Sequence, residues 1–370
     1  MKQNQKKANL RTSIPKLRKA IDILDKQLIE ILNKRTGKAI DIGKLKEQFK
    51  QTVYMPAREQ QVYNNIKKFN KGPLSNEALM AVFREIMSGT IMLQKPMRVS
   101  YLGPVATFTH LAGLKKFGSQ VEYKPANTIT DVFSEVERGN CDYGVVPVEN
   151  SIEGAVNHTL DMLVDSDLKI CSEILLDISH NLMAKCPLNQ IKRIYSKSQV
   201  FGQCRLWLES NLPTRELIDS SSTTRAAEIA QKEKGSAAIA SSLAARVYKL
   251  NVLAESIEDS PHNMTRFLVI GKNEAKQTGK DKTSVVFSIK DRVGALHDML
   301  LSFKAAKINL TKIESRPSKK KVWDYYFFMD MEGHKNDIIV KKALDKLEKK
   351  CYFLKILGSY PHTVQKMYDR

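Results

Sequence analysis

The residues that first suggest chemistry in this 370-residue chain are two cations set in an apolar stripe. From Leu17 the spacing runs through Ile21, Leu24, Leu28, Ile31 and Leu32, and the same face then carries Arg35, Ala39, Ile42 and Lys46. Steps of three and four trace one face of a helix, so Arg35 and Lys46 interrupt a surface suited to burial. A buried cation is costly without a partner, and two solutions exist: a structural ion pair, for which Glu59 is available, or a bound anion. Arg58 and Glu59 open a following helix, and Thr90 and Gln94, four apart, share a face of a third. A second cluster is Glu149-Asn150-Ser151, just beyond the short apolar run Tyr143–Val148. Such a run suits a buried strand, and ligands in open α/β sheets bind beyond strand ends. A helix N-cap is the competing reading, since Asn and Ser cap well. Thr107 and Thr109, after Gly103-Pro104, offer a helix N-terminus to an anion.

Three units are needed to position these groups. Ser13 is a candidate cap and Pro15 a first-turn residue for a helix reaching about Phe49. Helices over about 56–69 and 75–93 complete an all-helical first unit. Three helices of such unequal length bury little alone, so an intertwined dimer is expected. Arg18 supports it: seventeen residues before Arg35, or ~25 Å along the axis, it suits a partner's pocket better than its own. Residues 97–271 then alternate strands and helices, the pattern of an α/β unit with a mainly parallel sheet. The number of strands implies two lobes with a cleft, the second lobe spanning roughly 177–250. After a polar linker, GKNEAKQTGKDK, the order from 283 to 361 is βαββαβ, a ferredoxin-like arrangement.

Composition narrows the function. The formal charge of +20 is modular: 20 Lys+Arg against 8 Asp+Glu in residues 1–96, 18 against 20 in 97–271, and 22 against 12 in 272–370. A nucleic-acid binder with a near-neutral middle is not expected, and no nucleic-acid motif appears. No apolar run approaches a membrane span, and no secretory h-region opens the chain. Five scattered cysteines point to a reducing cytoplasm and away from disulfides or structural zinc.

On these residues, 10–95 resembles the all-helical chorismate mutase family, a domain-swapped dimer. That resemblance implies that Arg18, Arg35, Arg58 and Thr90 bind substrate while Lys46, Glu59 and Gln94 are catalytic. Met55 stands where the family often has Asp. Rearranging chorismate to prephenate needs no nucleophile, metal or cofactor. It needs a dianion gripped by guanidinium forks and donors, Lys46 and Gln94, aimed at the breaking ether oxygen. The stretches YLGPVATFTH, VVPVENSIEG, YSKSQ, SSSTTRAA, AAIAS and NMTRF make 97–271 resemble prephenate dehydratase, with a two-lobed, periplasmic-binding-protein-like fold. The resemblance implies Thr265 as the essential threonine, donating to the departing hydroxyl. Glu149, desolvated at a strand end, is expected as the acid that supplies the proton. Arg266 is expected to hold a carboxylate, with Asn150, Ser151 and Thr107 as polar walls. Lys197 replaces a common family histidine. Finally, 283–361 resembles the regulatory ACT domain, which implies phenylalanine sensing at Gly294, Ala295, Leu296 and His297 and at Glu314, Ser315, Arg316 and Pro317.

The expected protein is thus a cytoplasmic, cofactor-free, bifunctional enzyme of phenylalanine synthesis. It would use chorismate and prephenate, respond to phenylalanine, and assemble as a homodimer or homotetramer without nucleic acid or membrane. A non-catalytic amino-acid-responsive binding protein is the alternative.

Overall fold

The structure, a computed structural model, describes residues 2–49, 54–289, 292–318 and 325–363, with side chains from residue 14 onward. The side chain of Ser13, and Asp291 in the loop of the third unit, lie outside the described residues. Helix α1 (Lys2–Gln48) runs through Pro15 without a break. Pro15 is therefore interior, not a first-turn residue, and the helix start moves to Lys2. Helices α2 (Pro56–Phe69) and α3 (Asn76–Gln94) follow, α3 capped by Ser75, whose Oγ accepts from the amide of Ala78. The C-terminal half of α1 lies on α3 through Leu32, Arg35, Ala39, Ile40, Gly43 and Lys46. In its other half Leu17, Ile21, Leu24 and Leu28 are more than half exposed.

The middle unit has two lobes. In the first, β1 (Arg98–Leu102), β2 (Glu122–Ala126), β3 (Tyr143–Asn150), β5 (Lys169–Asp177) and β11 (Met264–Gly271) form the sheet β2-β1-β3-β11-β5, with the short β4 (Gly154–Ala155) on β3. Helix α4 (Phe108–Phe117) covers one face, and α5 (Ile129–Glu137) and α6 (Asn157–Asp165) cover the other. The second lobe holds β6 (Asn181–Ala184), β7 (Arg193–Ser196), β8 (Glu216–Asp219), β9 (Ser236–Ala240) and β10 (Asn251–Ala254) in the order β10-β6-β9-β7-β8. Its helices are α7 (Ser198–Gln203), α8 (Arg205–Asn211), α9 (Thr223–Lys232) and α10 (Ser242–Tyr248). Both sheets are mixed, because the strands that enter and leave the second lobe run antiparallel to their neighbours. The chain crosses between lobes twice, and the crossings are tied where Ile257 N–H donates to the His180 carbonyl and Ile178 N–H to that of Asn263.

The third unit, β12 (Asp281–Ile289), α11 (Ala295–Ala305), β13 (Leu310–Pro317), β14 (Tyr325–Glu332), α12 (Ile338–Glu348) and β15 (Cys351–Pro361), is the expected βαββαβ with sheet order β13-β14-β12-β15. Helices cover one face, over a core of Phe287, Phe303, Met329 and Leu347. The other face supplies Val286, Phe328, Leu357 and Tyr360 to the core of the first lobe. The approach is close: a Cβ on Gly358 would lie 2.3 Å from the carbonyl oxygen of Ile170 on β5. Only glycine fits there.

Candidate active sites

The first site is a cavity of ≈ 290 Å³ bounded by α1, α2, α3 and the end of α4. Arg35, Lys46, Arg58, Glu59, Thr90 and Gln94 all line it. Nη1 of Arg35 is buried and has no hydrogen-bond partner among the described residues. Burial and then the nearby charge of Arg58 lower the Arg35 pKa, and burial and then Lys276 lower that of Lys46. Cations crowded into a partly desolvated pocket favour an incoming anion. Glu59 does not neutralise Arg35. Its carboxylate instead accepts from the hydroxyls of Tyr54 (2.8 Å) and Tyr63 (3.1 Å) and lies 2.8 Å from Nζ of Lys116 on α4. Three donors thus hold its carboxylate in place. Thr90 donates to the Ile86 carbonyl at 2.6 Å, leaving its oxygen able only to accept. Gly43 went unnoticed in the sequence. A Cβ there would lie 2.7 Å from Cγ of Gln94, so glycine lets α1 close on the amide that the site needs. Arg18, on the exposed half of α1, does not line the cavity of its own chain.

The second site lies where the lobes meet, around Thr265. Asn150 donates to the Thr265 hydroxyl (2.8 Å) and to Oδ1 of Asn263 (2.8 Å), while its own Oδ1 accepts from the amides of Ile152 and Glu153. Asn263 in turn donates to Oε1 of Gln203 (3.1 Å), which sits 2.8 Å from Nε2 of the buried His180. A hydrogen-bonded line therefore crosses the cleft from Thr265 to His180. Its effect on Thr265 is definite: the oxygen accepts from Asn150, so the hydroxyl proton points elsewhere and can be donated. Burial lowers the His180 pKa and favours the neutral ring. Ser151 brackets the start of β11, its hydroxyl donating to the His262 carbonyl and accepting from the Met264 amide. Thr107 caps α4 and donates to the Leu102 carbonyl. Asn150, Ser151 and Thr107 are thus positioning groups whose polar atoms are already engaged. Lys197, at the N-terminus of α7, is exposed.

Comparison with known proteins agrees with this geometry. Residues 17–95 match the chorismate mutase type II family, 99–275 the prephenate dehydratase family and 283–349 the ACT domain. The bifunctional chorismate mutase/prephenate dehydratase of Aquifex aeolicus is 49% identical over 353 residues, 94% of this chain and 98% of that protein. The protein of the same name from Pseudomonas aeruginosa is 45% identical over 94% of this chain and 97% of its own length. This chain belongs to the bifunctional chorismate mutase/prephenate dehydratase family. Among solved structures, the prephenate dehydratase of Arthrobacter aurescens in complex with L-Phe superposes with a TM-score of 0.67 at 35% identity, covering 72% of this chain and 90% of that one. That of Staphylococcus aureus gives 0.63 at 30%, covering 71% and 100%.

Within the dehydratase unit two expectations are corrected. Glu149 and Arg266 do not face the cleft. Strand β3 continues through Asn150 where a polar loop was expected, and its register against β11 slips so that Arg266 pairs with Glu149 but Phe267 with Pro147. This bulge re-aims a side chain. Strict alternation from Val145 would set Glu149 on the α4 face, whereas it lies 2.8 Å from Nζ of Lys312 on β13. Arg266 goes the same way. It donates from Nε to Glu173 (2.9 Å), from Nη1 to Asp330 (2.6 Å) and from Nη2 to the Tyr360 hydroxyl (2.9 Å). Burial opposes its charge, but Tyr360, Asp330 and Glu173 outweigh that and hold its pKa well above the ordinary value. Both residues join the dehydratase unit to the ACT unit.

The two sensor motifs sit at one end of the ACT sheet. Phe327 of β14 pairs with Phe287 of β12 on one side and Ser315 of β13 on the other, so β12 and β13 run parallel. Gly294–His297, after β12, and Glu314–Pro317, closing β13, therefore lie towards the same edge. Gly294 has φ +77, a left-handed turn that favours glycine. Arg316 is engaged from both Nε and Nη2 by the carboxylate of Asp161 on α6, which removes its guanidinium from the expected binding set. Ser315 and Pro317 point outward and, with the exposed His297, leave this edge open.

Proposed function

We propose that the helical cavity rearranges chorismate to prephenate and that the cleft around Thr265 converts prephenate to phenylpyruvate. The observation that carries the first half is the buried Nη1 of Arg35, partnerless among the described residues, beside Lys46, Arg58 and Gln94 in one cavity. In the first reaction an ether C–O bond breaks as a C–C bond forms, with no proton or electron exchanged. Arg35 and Arg58 hold carboxylates, Lys46 and Gln94 donate to the ether oxygen, and Glu59 accepts from the ring hydroxyl. In the second, the carboxyl group leaves as CO2 and its electron pair enters the ring as hydroxide departs from the opposite carbon. Thr265 donates to that oxygen. Asn150 fixes its proton, and the departing hydroxide ends as water with a proton from solvent in place of the expected Glu149.

A second copy of the chain completes the enzyme in this reading. The exposed stripe Leu17, Ile21, Leu24 and Leu28 supports pairing of α1 helices, which would bring a partner's Arg18 to the mutase cavity. Phenylalanine would act at the open ACT edge and favour a less competent cleft, a population shift that requires unequal affinity for two states. The five cysteines are all unpaired. Among the described residues no helix is long and apolar enough to cross a membrane.

The test is to feed chorismate and prephenate separately to the purified protein. Lys46→Ala is expected to abolish prephenate formation and spare turnover of added prephenate, and Thr265→Ala to do the reverse. Loss of both activities in either folded variant would break the two-site reading.

A further inference from the structure

We infer that Lys116, a residue of the dehydratase unit, is a positioning residue of the mutase site. The two units meet along α3 and α4. Arg84 donates to the Lys115 carbonyl at 3.3 Å, Glu85 accepts from the amide and hydroxyl of Ser119, and Ser88 accepts from the Gln120 amide. The rings of Tyr54, Phe117 and Tyr143 pack together, with Tyr54 5.1 Å from Phe117 and 5.3 Å from Tyr143. This seam carries the last turn of α4 to the mutase cavity, where Lys116 and Phe117 form part of the lining. Nζ of Lys116 lies 2.8 Å from Oε2 of Glu59, and both side chains are largely buried, at 17% and 8% exposure.

Glu59 is the one carboxylate lining the cavity among the described residues, and a dianionic substrate must share the space with it. Tyr54 and Tyr63 orient it, but both are neutral donors. Lys116 supplies the compensating charge, and it does so from the sequence of the neighbouring unit. Without it, the Glu59 carboxylate would face the incoming carboxylates with no ion-pair partner among the described residues, and would weaken substrate and transition state alike. Such uniform weakening appears in KM rather than kcat. The inference rests on the mutase reading above.

Lys116→Met keeps the packing of the apolar stem and removes the charge, and Lys116→Arg keeps the charge. The Met variant is expected to lose about tenfold or more in kcat/KM for chorismate, carried by KM, while kcat/KM for added prephenate stays within about twofold. The Arg variant should recover most of the loss. In a Glu59→Gln background the same Lys116→Met change should have little further effect, because neighbours that act together are non-additive. Mutase kinetics in the Met variant matching those of the unaltered protein would overturn the inference, as would equal losses from Lys116→Met with and without Glu59. An equal fall in both activities, with no rescue by Arg, would reduce Lys116 to a structural tie and overturn it as well. If the unaltered protein itself leaves chorismate unchanged, the mutase reading fails instead.

Discussion

At the scale of single residues, the mutase site is defined by how each of its charged groups is held. Arg35 keeps a buried guanidinium nitrogen without a partner among the described residues, and Glu59 is held as an acceptor by two tyrosines and a lysine. Lys46 makes this testable through pH. Its pKa is depressed below 10.5, first by burial and then by Lys276, so the cation proposed to donate to the ether oxygen is lost as pH rises. The kcat/KM for chorismate, which reports the free enzyme, should fall on the alkaline side at a pH below 10.5. Turnover of prephenate should not follow that limb. A flat mutase profile up to the ordinary lysine range would show that Lys46 is not the titrating donor. Stripe spacing alone brought Arg35 and Lys46 to notice. The chain Asn150–Asn263–Gln203–His180 did not, because its members come from four separate elements and connections.

At the scale of elements, most boundaries were legible, since apolar periodicity and cap residues mark them. The βαββαβ order of the third unit falls where the pattern sets it. The failures have local causes. The residues over 201–209 read as one helix from their pattern, yet the chain forms two, α7 and α8, parted at Cys204. The bulge at the end of β3 turned Glu149 away from the cleft, and strand alternation cannot reveal an inserted residue; Arg266 simply alternates with Thr265 and Phe267 along β11. Gly43 was equally silent, because a helical glycine shows nothing of what approaches it. Gly43→Ala would place a methyl 2.7 Å from Gln94 Cγ. That should displace the amide and lower mutase kcat by about tenfold or more, the scale of one misplaced catalytic donor. Circular dichroism and dehydratase activity should be nearly unchanged. An unaffected mutase would mean that Gln94 moves aside without consequence.

At the scale of the molecule, Arg266 decides how the ACT unit and the dehydratase cleft are joined. It follows Thr265 directly in β11, yet its partners include Asp330 and Tyr360 of the ACT unit, beside a Glu173 that also pairs with Lys282 at 2.9 Å. Removing one member of such a buried network strands the others. Arg266→Met should cost ~3–5 kcal/mol of stability, measured by denaturant unfolding, while KM for prephenate changes by no more than about threefold. A large rise in KM with stability intact would restore the carboxylate-clamp role expected from sequence. The same network ties the ACT unit to the residue that directly follows Thr265.

Helix α4 has its cap, Thr107, in the first lobe and Lys116 in the mutase cavity, nine residues and ~14 Å apart. Severing the chain between the first two units is therefore not a symmetric operation. The dehydratase fragment would leave with a group the mutase needs, whereas the helical fragment would take nothing of comparable importance from the cleft. An evolutionary split of this gene would require the released mutase to find a new counter-charge for Glu59.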